Sequence, residues 1–208
     1  MLFRSGAGLY AILFALRGHR VIGIDNNERM LEAARENCQA FGAEAEFVRG
    51  DVQSPPLRRR SADLIVSNNT VWNLTDPASA YGGWKELLAP GGAVVVIDGN
   101  YYLDIFDEEY GRRKAYMDLN GHGMNDGLHA KTNTDGVDFN IMRDLARGLP
   151  CSRRRRPAWD VSLLLGAGMT DVHVQSLDEN PYSVLTEHGF VELPSLPKIG
   201  RASCRERV

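Results

Sequence analysis

Two glycines and an aspartate stand where a nucleotide could bind. Gly6 and Gly8 precede an apolar run, and Asp25 comes at the end of the next apolar stretch. Glycines let a backbone approach a nucleotide closely, and a carboxylate at the tip of a second strand can accept hydrogen bonds from ribose hydroxyls. Two glycines before an apolar helix are also frequent by chance. For this motif alone, a tight turn with a surface aspartate is therefore an equal alternative.

Further polar residues follow in order along the chain. Asp51 comes after a second predicted strand, where it could accept a hydrogen bond from an adenine amino group beside Val52. Its alternative is a helix cap or a solvated loop acid. A third predicted strand begins at Asp63 and ends at Ser67 and Asn68. These positions would meet at one edge of a sheet if the strands are parallel.

The most specific motif is a leucine pair, then Pro90, Gly91 and Gly92, then a strand of valines. This motif follows the glycine loop and the aspartates. The whole series, in this order, resembles class I S-adenosylmethionine-dependent methyltransferases that act on small molecules. The resemblance runs from Gly6 to about Leu177. It implies a Rossmann-like fold, S-adenosyl-L-methionine as cofactor, and methyl transfer by in-line displacement.

The resemblance assigns the first cofactor contacts to the amino-terminal part of the chain. Gly6 and Gly8 would be the second and third glycines of the cofactor loop. Asp25 would bind the ribose, with Asn26 beside it, and Met30 would lie near the adenine.

The remaining cofactor contacts are implied further along. Asp51 and Val52 would frame the adenine, and the backbone of Ser67 and Asn68 would face the methionine part. Because the sulfonium makes the methyl group a good electrophile, alignment of the nucleophile is the main catalytic task. The resemblance therefore names no fixed catalytic residue.

The chain departs from the family at its start. The family places a strand with an acidic residue and a first glycine where Leu2 and Arg4 stand. Residues 198–208 resemble the translation of a short-read sequencing adapter, and no final strand is visible after Leu177. We therefore expect truncation at both ends, a single methyltransferase domain over residues 1–197, and a non-native tail over residues 198–208.

Apolar periodicity indicates the fold class. Strands at about residues 20–25, 45–48, 62–66 and 93–97 alternate with helices, which is typical of a parallel sheet covered on both faces. Asn26 or Asn27 caps one helix, and Asp76 and Pro77 begin another. We predict an α/β fold, a Rossmann-like three-layer sandwich with a mostly parallel central sheet and with its first and last strands missing.

The substrate side is less defined. Residues 101–157 are long and polar and should form a cover over the acceptor. Asn100, Tyr101 and Tyr102 follow the last clear strand and are candidate acceptor contacts, with packing against the core as the alternative. Arg154 belongs to a run of four arginines, which could bind an anionic group or form a solvated surface turn.

Composition narrows the function classes. A chain of 208 residues with net charge −3 is a poor nucleic-acid binder, and residues 67–70 lack the Pro-Pro-aromatic set of base-methylating enzymes. The apolar run 7–16 is too short to span a membrane. Three scattered cysteines indicate a reducing cytoplasm. His122 and His129 match no metal-ligand spacing, so we predict no metal site.

Two alternatives from other classes stay open. A nicotinamide-dependent oxidoreductase or epimerase would suit residues 21–26, with Tyr81 and Lys85 as its Tyr-x-x-x-Lys pair. The second alternative is an inactive, truncated homologue.

Overall fold

A computed structural model describes residues 1–3, 6–119, 140–176, 183–186, 189–192 and 200–205. The strands are β1 (Leu2–Phe3), β2 (Ile22–Asp25), β3 (Glu46–Arg49), β4 (Ala62–Asn68), β5 (Leu88–Ile97), β6 (Thr170–Ser176), β7 (Ser183–Thr186), β8 (Gly189–Glu192) and β9 (Gly200–Arg205). The helices are α1 (Leu9–Ala15), α2 (Glu28–Ala40), α3 (Pro77–Leu87), α4 (Glu108–Leu119), α5 (Asn140–Arg147) and α6 (Ala158–Gly166).

Seven strands form one sheet in the order β3-β2-β1-β4-β5-β9-β6. The first five in this order are parallel to one another, and β9 is antiparallel to both β5 and β6. Strands β7 and β8 pair separately as a hairpin. The predicted α/β fold with a mostly parallel sheet is therefore confirmed.

Two apolar clusters cover opposite faces of the sheet. On β4, Ile65 belongs to the cluster with Trp84 of α3 and Leu164 of α6. The next residue, Val66, belongs to the cluster with Ile12 of α1. Because successive side chains of a strand point to opposite faces, these clusters form the two helix-covered layers of a three-layer sandwich.

The structure corrects the expectation that the first and last strands are missing. Leu2 in β1 pairs with Gly23 of β2 and with Val66 of β4, so a two-residue strand occupies the centre of the sheet. At the other end of the chain, β9 lies between β5 and β6. Residues 200–205 are thus in the sheet, where the sequence indicated a tail outside the fold.

Local signals position the helices that flank the site. Asn27 rather than Asn26 caps α2, since its side chain accepts the Arg29 N–H at 3.0 Å. Asp76 caps α3 through the Ser79 N–H, also at 3.0 Å.

The Pro-Gly-Gly turn has a steric explanation. A Cβ atom on Gly92 would lie 2.8 Å from the Ala89 carbonyl oxygen and 2.9 Å from that of Ala62. Glycine therefore lets the turn after α3 pass close to the start of β4. Among the residues that the structure describes, none of the helices has the length and apolar character needed to cross a bilayer.

Candidate active site

The carboxyl ends of β2 and β3 carry the predicted ribose and adenine residues. Asp25 is the last residue of β2 and is buried, and its Oδ1 accepts the Asn27 N–H at 3.0 Å. Asp51 lies two residues after β3 and is exposed; its Oδ1 accepts the Gln53 N–H at 2.9 Å. Both carboxylates therefore have one oxygen fixed by a local turn.

A pocket of about 220 Å³ opens between these two loops. It is lined by Asn26, Gly50, Asp51, Val52, Gln53, Asn73, Leu74 and Thr75. The predicted residues Asn26, Asp51 and Val52 are thus brought together in one concave site. The Asn73–Thr75 segment, which follows β4, completes its wall.

Gln53 is a pocket residue that the sequence reasoning missed. Its Oε1 accepts the Asp76 N–H at 2.8 Å and the Thr75 hydroxyl at 3.1 Å, and its Nε2 lies 3.4 Å from Asp51 Oδ2. One side chain therefore joins the loop after β3 to the start of α3. Its position two residues after Asp51, a candidate adenine contact, is the sequence feature that could have indicated a place in the pocket.

The glycine loop adopts left-handed backbone conformations at both predicted positions. Gly6 has φ 52° and Gly8 has φ 90°, values that favour glycine. A Cβ on Gly8 would stand 3.2 Å from the backbone and Cβ of Ala34, so Gly8 also permits close packing of α1 on α2. Asn37 holds the loop by donating from Nδ2 to the Ala7 carbonyl at 2.8 Å.

The other predicted cofactor residues differ in exposure. Met30 is 44% exposed on α2, whereas Val52 is buried and its carbonyl accepts the Trp84 indole N–H at 2.7 Å. Ser67, at the end of β4, is fully buried, and its hydroxyl has no hydrogen-bond partner among the described residues. Asn68 beside it is half-buried.

Aromatic residues gather on the loops after β4 and β5. The ring of Trp72 lies 5.5 Å, centroid to centroid, from that of Tyr101 and 5.5 Å from that of Tyr102. The Tyr101 hydroxyl donates to Asn69 Oδ1. Burial raises the pKa of Tyr101 to about 12, so its phenol stays protonated even in moderately alkaline solution.

A buried charge cluster lies behind these aromatic rings. The Arg156 guanidinium donates through Nε to Asp160 Oδ2 at 2.6 Å and through Nη2 to Asp160 Oδ1 at 2.9 Å. Its Nη1 lies 3.4 Å from Asp98 Oδ1. Tyr81 donates its hydroxyl to Asp160 Oδ1 at 2.6 Å. All four side chains are buried, so the three charged ones depend on one another and on the Tyr81 hydroxyl for stabilisation.

Electrostatics within the cluster follow from burial. Burial raises the pKa of Asp98, and the charge of Arg156 opposes that rise. Burial acts to lower the pKa of Arg156, but the carboxylates of Asp98 and Asp160 raise it well above its usual value. The guanidinium therefore stays charged and requires its carboxylate partners.

Comparisons with known proteins bear on this arrangement. Residues 4–96 match the family described as "Methyltransferase domain". This match contains the glycine loop, Asp25, the pocket and the Pro-Gly-Gly turn.

Over residues 4–96 the chain is therefore similar to methyltransferase domains.

Part of the chain is also similar in sequence to curated proteins. The chain is 35% identical over 101 residues to trans-aconitate 2-methyltransferase of Streptomyces coelicolor, covering 46% of this chain and 33% of the relative. It is 30% identical over 115 residues to carboxy-S-adenosyl-L-methionine synthase of Shewanella pealeana, covering 50% of this chain and 46% of the relative. These alignments span less than half of either relative.

A Thermotoga maritima crystal structure has the same fold. It is described as a SAM-dependent methyltransferase and possible histamine N-methyltransferase, and it superposes with TM-score 0.58 and 18% identity. The superposition covers 100% of this chain and 80% of that one. The likeness supports a Rossmann-like fold for this chain.

The arginine run does not behave as a single surface turn. Arg155 forms ion pairs with Asp107 at 2.6 Å and Glu109 at 2.9 Å, and Arg153 lies over the ring of Phe106. Arg154, the candidate for an anionic substrate, is exposed. Arg156 is the buried member of the run, and sequence reasoning did not distinguish it from its neighbours.

Asn100, a predicted acceptor contact, has a structural partner. Its Nδ2 donates to the Arg156 carbonyl at 2.9 Å and its Oδ1 accepts the Arg156 N–H at 3.0 Å. Because Asn100 is buried and makes two backbone bonds, it joins the loop after β5 to the segment before α6. Tyr101 and Tyr102 stay half-exposed.

The structure argues against the oxidoreductase alternative. Tyr81 is fully buried, and its hydroxyl is bonded to Asp160 inside the cluster. It therefore cannot contact a substrate, as the tyrosine of a catalytic Tyr-x-x-x-Lys pair must. His122 and His129, considered for a metal, lie outside the described residues.

Proposed function

We propose that this chain binds S-adenosyl-L-methionine at the carboxyl ends of β2–β4 and transfers its methyl group to a small-molecule acceptor. The observation that carries the proposal is the pocket that brings Asn26, Asp51 and Val52 together beside the buried carboxylate of Asp25. Pockets at the carboxyl ends of parallel strands are where ligands bind in open α/β sheets. The name of the trans-aconitate 2-methyltransferase relative also indicates a small-molecule acceptor.

The residues present fit the cofactor. The Asp25 carboxylate would accept the ribose hydroxyls, and Asp51 with Val52 would hold the adenine. Ser67 offers a buried hydroxyl with no partner among the described residues, beside the position expected for the methionine part. A buried polar atom is costly without a hydrogen bond, so a bound polar group would stabilise this end of β4.

Catalysis on this chain would depend on orientation. When bound, S-adenosylmethionine supplies an electrophilic methyl group on a sulfonium. The loops after β4 and β5 would hold the acceptor nucleophile in line with that group, which lowers the barrier without a dedicated base. A general base is needed only for an acceptor that must lose its proton early.

The surroundings of the site complete the proposal. We place the acceptor beside α4, α5 and the segment before α6, which are the described parts of the cover predicted at residues 101–157. Cys38 and Cys151 are free and buried, in keeping with a reducing cytoplasm as the proposed location. No nucleic-acid or membrane partner is proposed.

The proposal is tested by calorimetry with S-adenosylhomocysteine and the variant Asp25→Ala. Loss of charge-assisted hydrogen bonds to the ribose should weaken binding by about 1–3 kcal/mol. The matched control is Asp63→Ala, an exposed aspartate near the amino end of β4, which should bind as the wild type does.

Two results would count against the proposal. Tight binding of a nicotinamide dinucleotide without any response to S-adenosylhomocysteine would contradict the cofactor assignment. An unchanged dissociation constant in folded Asp25→Ala would contradict the ribose assignment alone.

A further inference from the structure

Trp72, Tyr101 and Tyr102 form an aromatic wall on the side of the site that follows β4 and β5. All three side chains are half-buried, so each ring keeps part of its surface exposed. The Trp72 and Tyr101 rings meet edge to face with an interplanar angle of 68°, and the Trp72 and Tyr102 rings are tilted by 39°. None of the three rings lines the pocket of Asn26 and Asp51, although Asn73 of that pocket follows Trp72 in the chain.

Hydrogen bonds occupy the polar atoms of two of these rings. The Trp72 indole N–H donates to the Asn69 carbonyl at 3.1 Å, and the Tyr101 hydroxyl donates to the Asn69 side chain. Asn69 itself has φ 50°, a left-handed conformation that asparagine tolerates. Trp72 therefore presents only ring surface to a ligand, and Tyr101 presents ring surface and a hydroxyl that can only accept.

The buried charge cluster holds the wall in place. Asp98 Oδ2 accepts the Trp72 backbone N–H at 3.0 Å, and Asp98 Oδ1 accepts the Gly99 N–H at 2.9 Å. Arg156 donates to the Gly99 carbonyl at 3.2 Å. Both loops that carry the rings are thus tied to one buried anchor, so a ligand would find the wall already ordered and would lose less free energy on binding.

We propose that the aromatic wall selects an acceptor with a planar, aromatic or conjugated group. The inference rests on the proposed function, because it names the acceptor class for that site. Flat π systems gain from offset or edge-to-face contact with aromatic rings beyond the area they bury. A puckered saturated ring of the same size lacks that contribution.

The test compares phenol with cyclohexanol, which share a six-carbon ring and one hydroxyl. Binding is measured by ligand-observed saturation-transfer NMR, with and without saturating S-adenosylhomocysteine. Burial of apolar area alone would favour cyclohexanol at least as much as phenol. Aromatic contact should make phenol bind about threefold to tenfold more tightly.

Variants assign the preference to the wall. Trp72→Leu keeps an apolar side chain but removes the π face, and should bring the two affinities to within about twofold. Trp72→Phe keeps a π face and should restore the preference for phenol. Phe41→Leu, at an exposed aromatic residue just past α2, should leave it unchanged.

The outcomes separate this inference from the proposed function. Equal affinities in the wild type, or a phenol preference that survives in Trp72→Leu, would overturn the aromatic-acceptor inference. If S-adenosylhomocysteine binds while phenol is not preferred, the proposed function stands and this inference fails. If S-adenosylhomocysteine does not bind, the measurements without it still decide whether the wall prefers planar rings.

Discussion

The proposed cofactor side of the sheet, at the loops after β2 and β3, and the proposed acceptor side, at the loops after β4 and β5, are built differently. On the cofactor side, Asp25 and Asp51 are each fixed by a backbone N–H two residues further along the chain. On the acceptor side, Asn100 is bonded to Arg156, which is 56 residues away in sequence. A substitution in a local turn removes one hydrogen bond, whereas a substitution in a buried network removes several. The acceptor side should therefore be the less tolerant of substitution.

The largest effect is expected for Arg156→Met. This change removes the only cation of the buried cluster and leaves Asp98 and Asp160 without it, so the free energy of unfolding should fall by about 3–5 kcal/mol. Urea denaturation measures the loss. The matched control Arg154→Met affects an exposed member of the same arginine run and should change stability by less than about 0.5 kcal/mol.

The double variant Arg156→Met/Asp160→Asn separates lost charge pairing from lost packing. Because it also removes one of the two buried carboxylates that need a cation, it should be more stable than Arg156→Met alone. If Arg156→Met and Arg154→Met cost the same, the cluster does not hold the acceptor side together and the contrast between the two sides is lost.

The strand β9 gives the next largest effect. Truncation after residue 199 would expose the paired edges of β5 and β6 to water, so each lost backbone hydrogen bond costs only its net contribution of about 0.5–1.5 kcal/mol. We expect a loss of about 2–4 kcal/mol, measured by thermal or urea unfolding. Truncation after Arg205, which keeps β9, is the control and should match the full chain.

The truncation should affect the proposed acceptor side more than the proposed cofactor side. Strand β9 pairs with β5, whose carboxyl end leads to Asp98 on the acceptor side. The truncation should change the free energy of S-adenosylhomocysteine binding at β2 and β3 by less than it changes the free energy of unfolding. Identical melting of the two truncated chains would support the sequence-based expectation of a tail outside the fold.

Sequence patterns predicted the helices and strands around the proposed cofactor site because their signals are local. The apolar spacing of α2, the cap and proline at the start of α3, and Asp25 at the end of β2 each depend on a few neighbouring residues. The pocket itself required the fold, because its walls come from loops after β2, β3 and β4.

The acceptor side was less predictable for a physical reason. Arg156 stands in a run of four arginines, and nothing local tells a buried guanidinium from three surface ones. Only Asp160 at i+4 was a nearby signal, and such pairs are common on exposed helices. Strand β9 was missed because it lacks apolar periodicity, although backbone pairing does not require that pattern.

The smallest predicted effect tests whether structural and ligand-binding roles separate on the cofactor side. Asn27→Ala removes the side-chain bond to the Arg29 N–H that caps α2 and should cost about 1 kcal/mol of stability. The backbone N–H of Asn27 still donates to Asp25 in this variant, so S-adenosylhomocysteine binding should hardly change. Asn26→Ala should weaken S-adenosylhomocysteine binding and leave stability nearly unchanged, because Asn26 lines the pocket and does not cap α2. Urea unfolding and calorimetry on both variants decide the matter. If each variant lowers stability and affinity together, the loop after β2 acts as one unit, and the cofactor side is no more modular than the acceptor side.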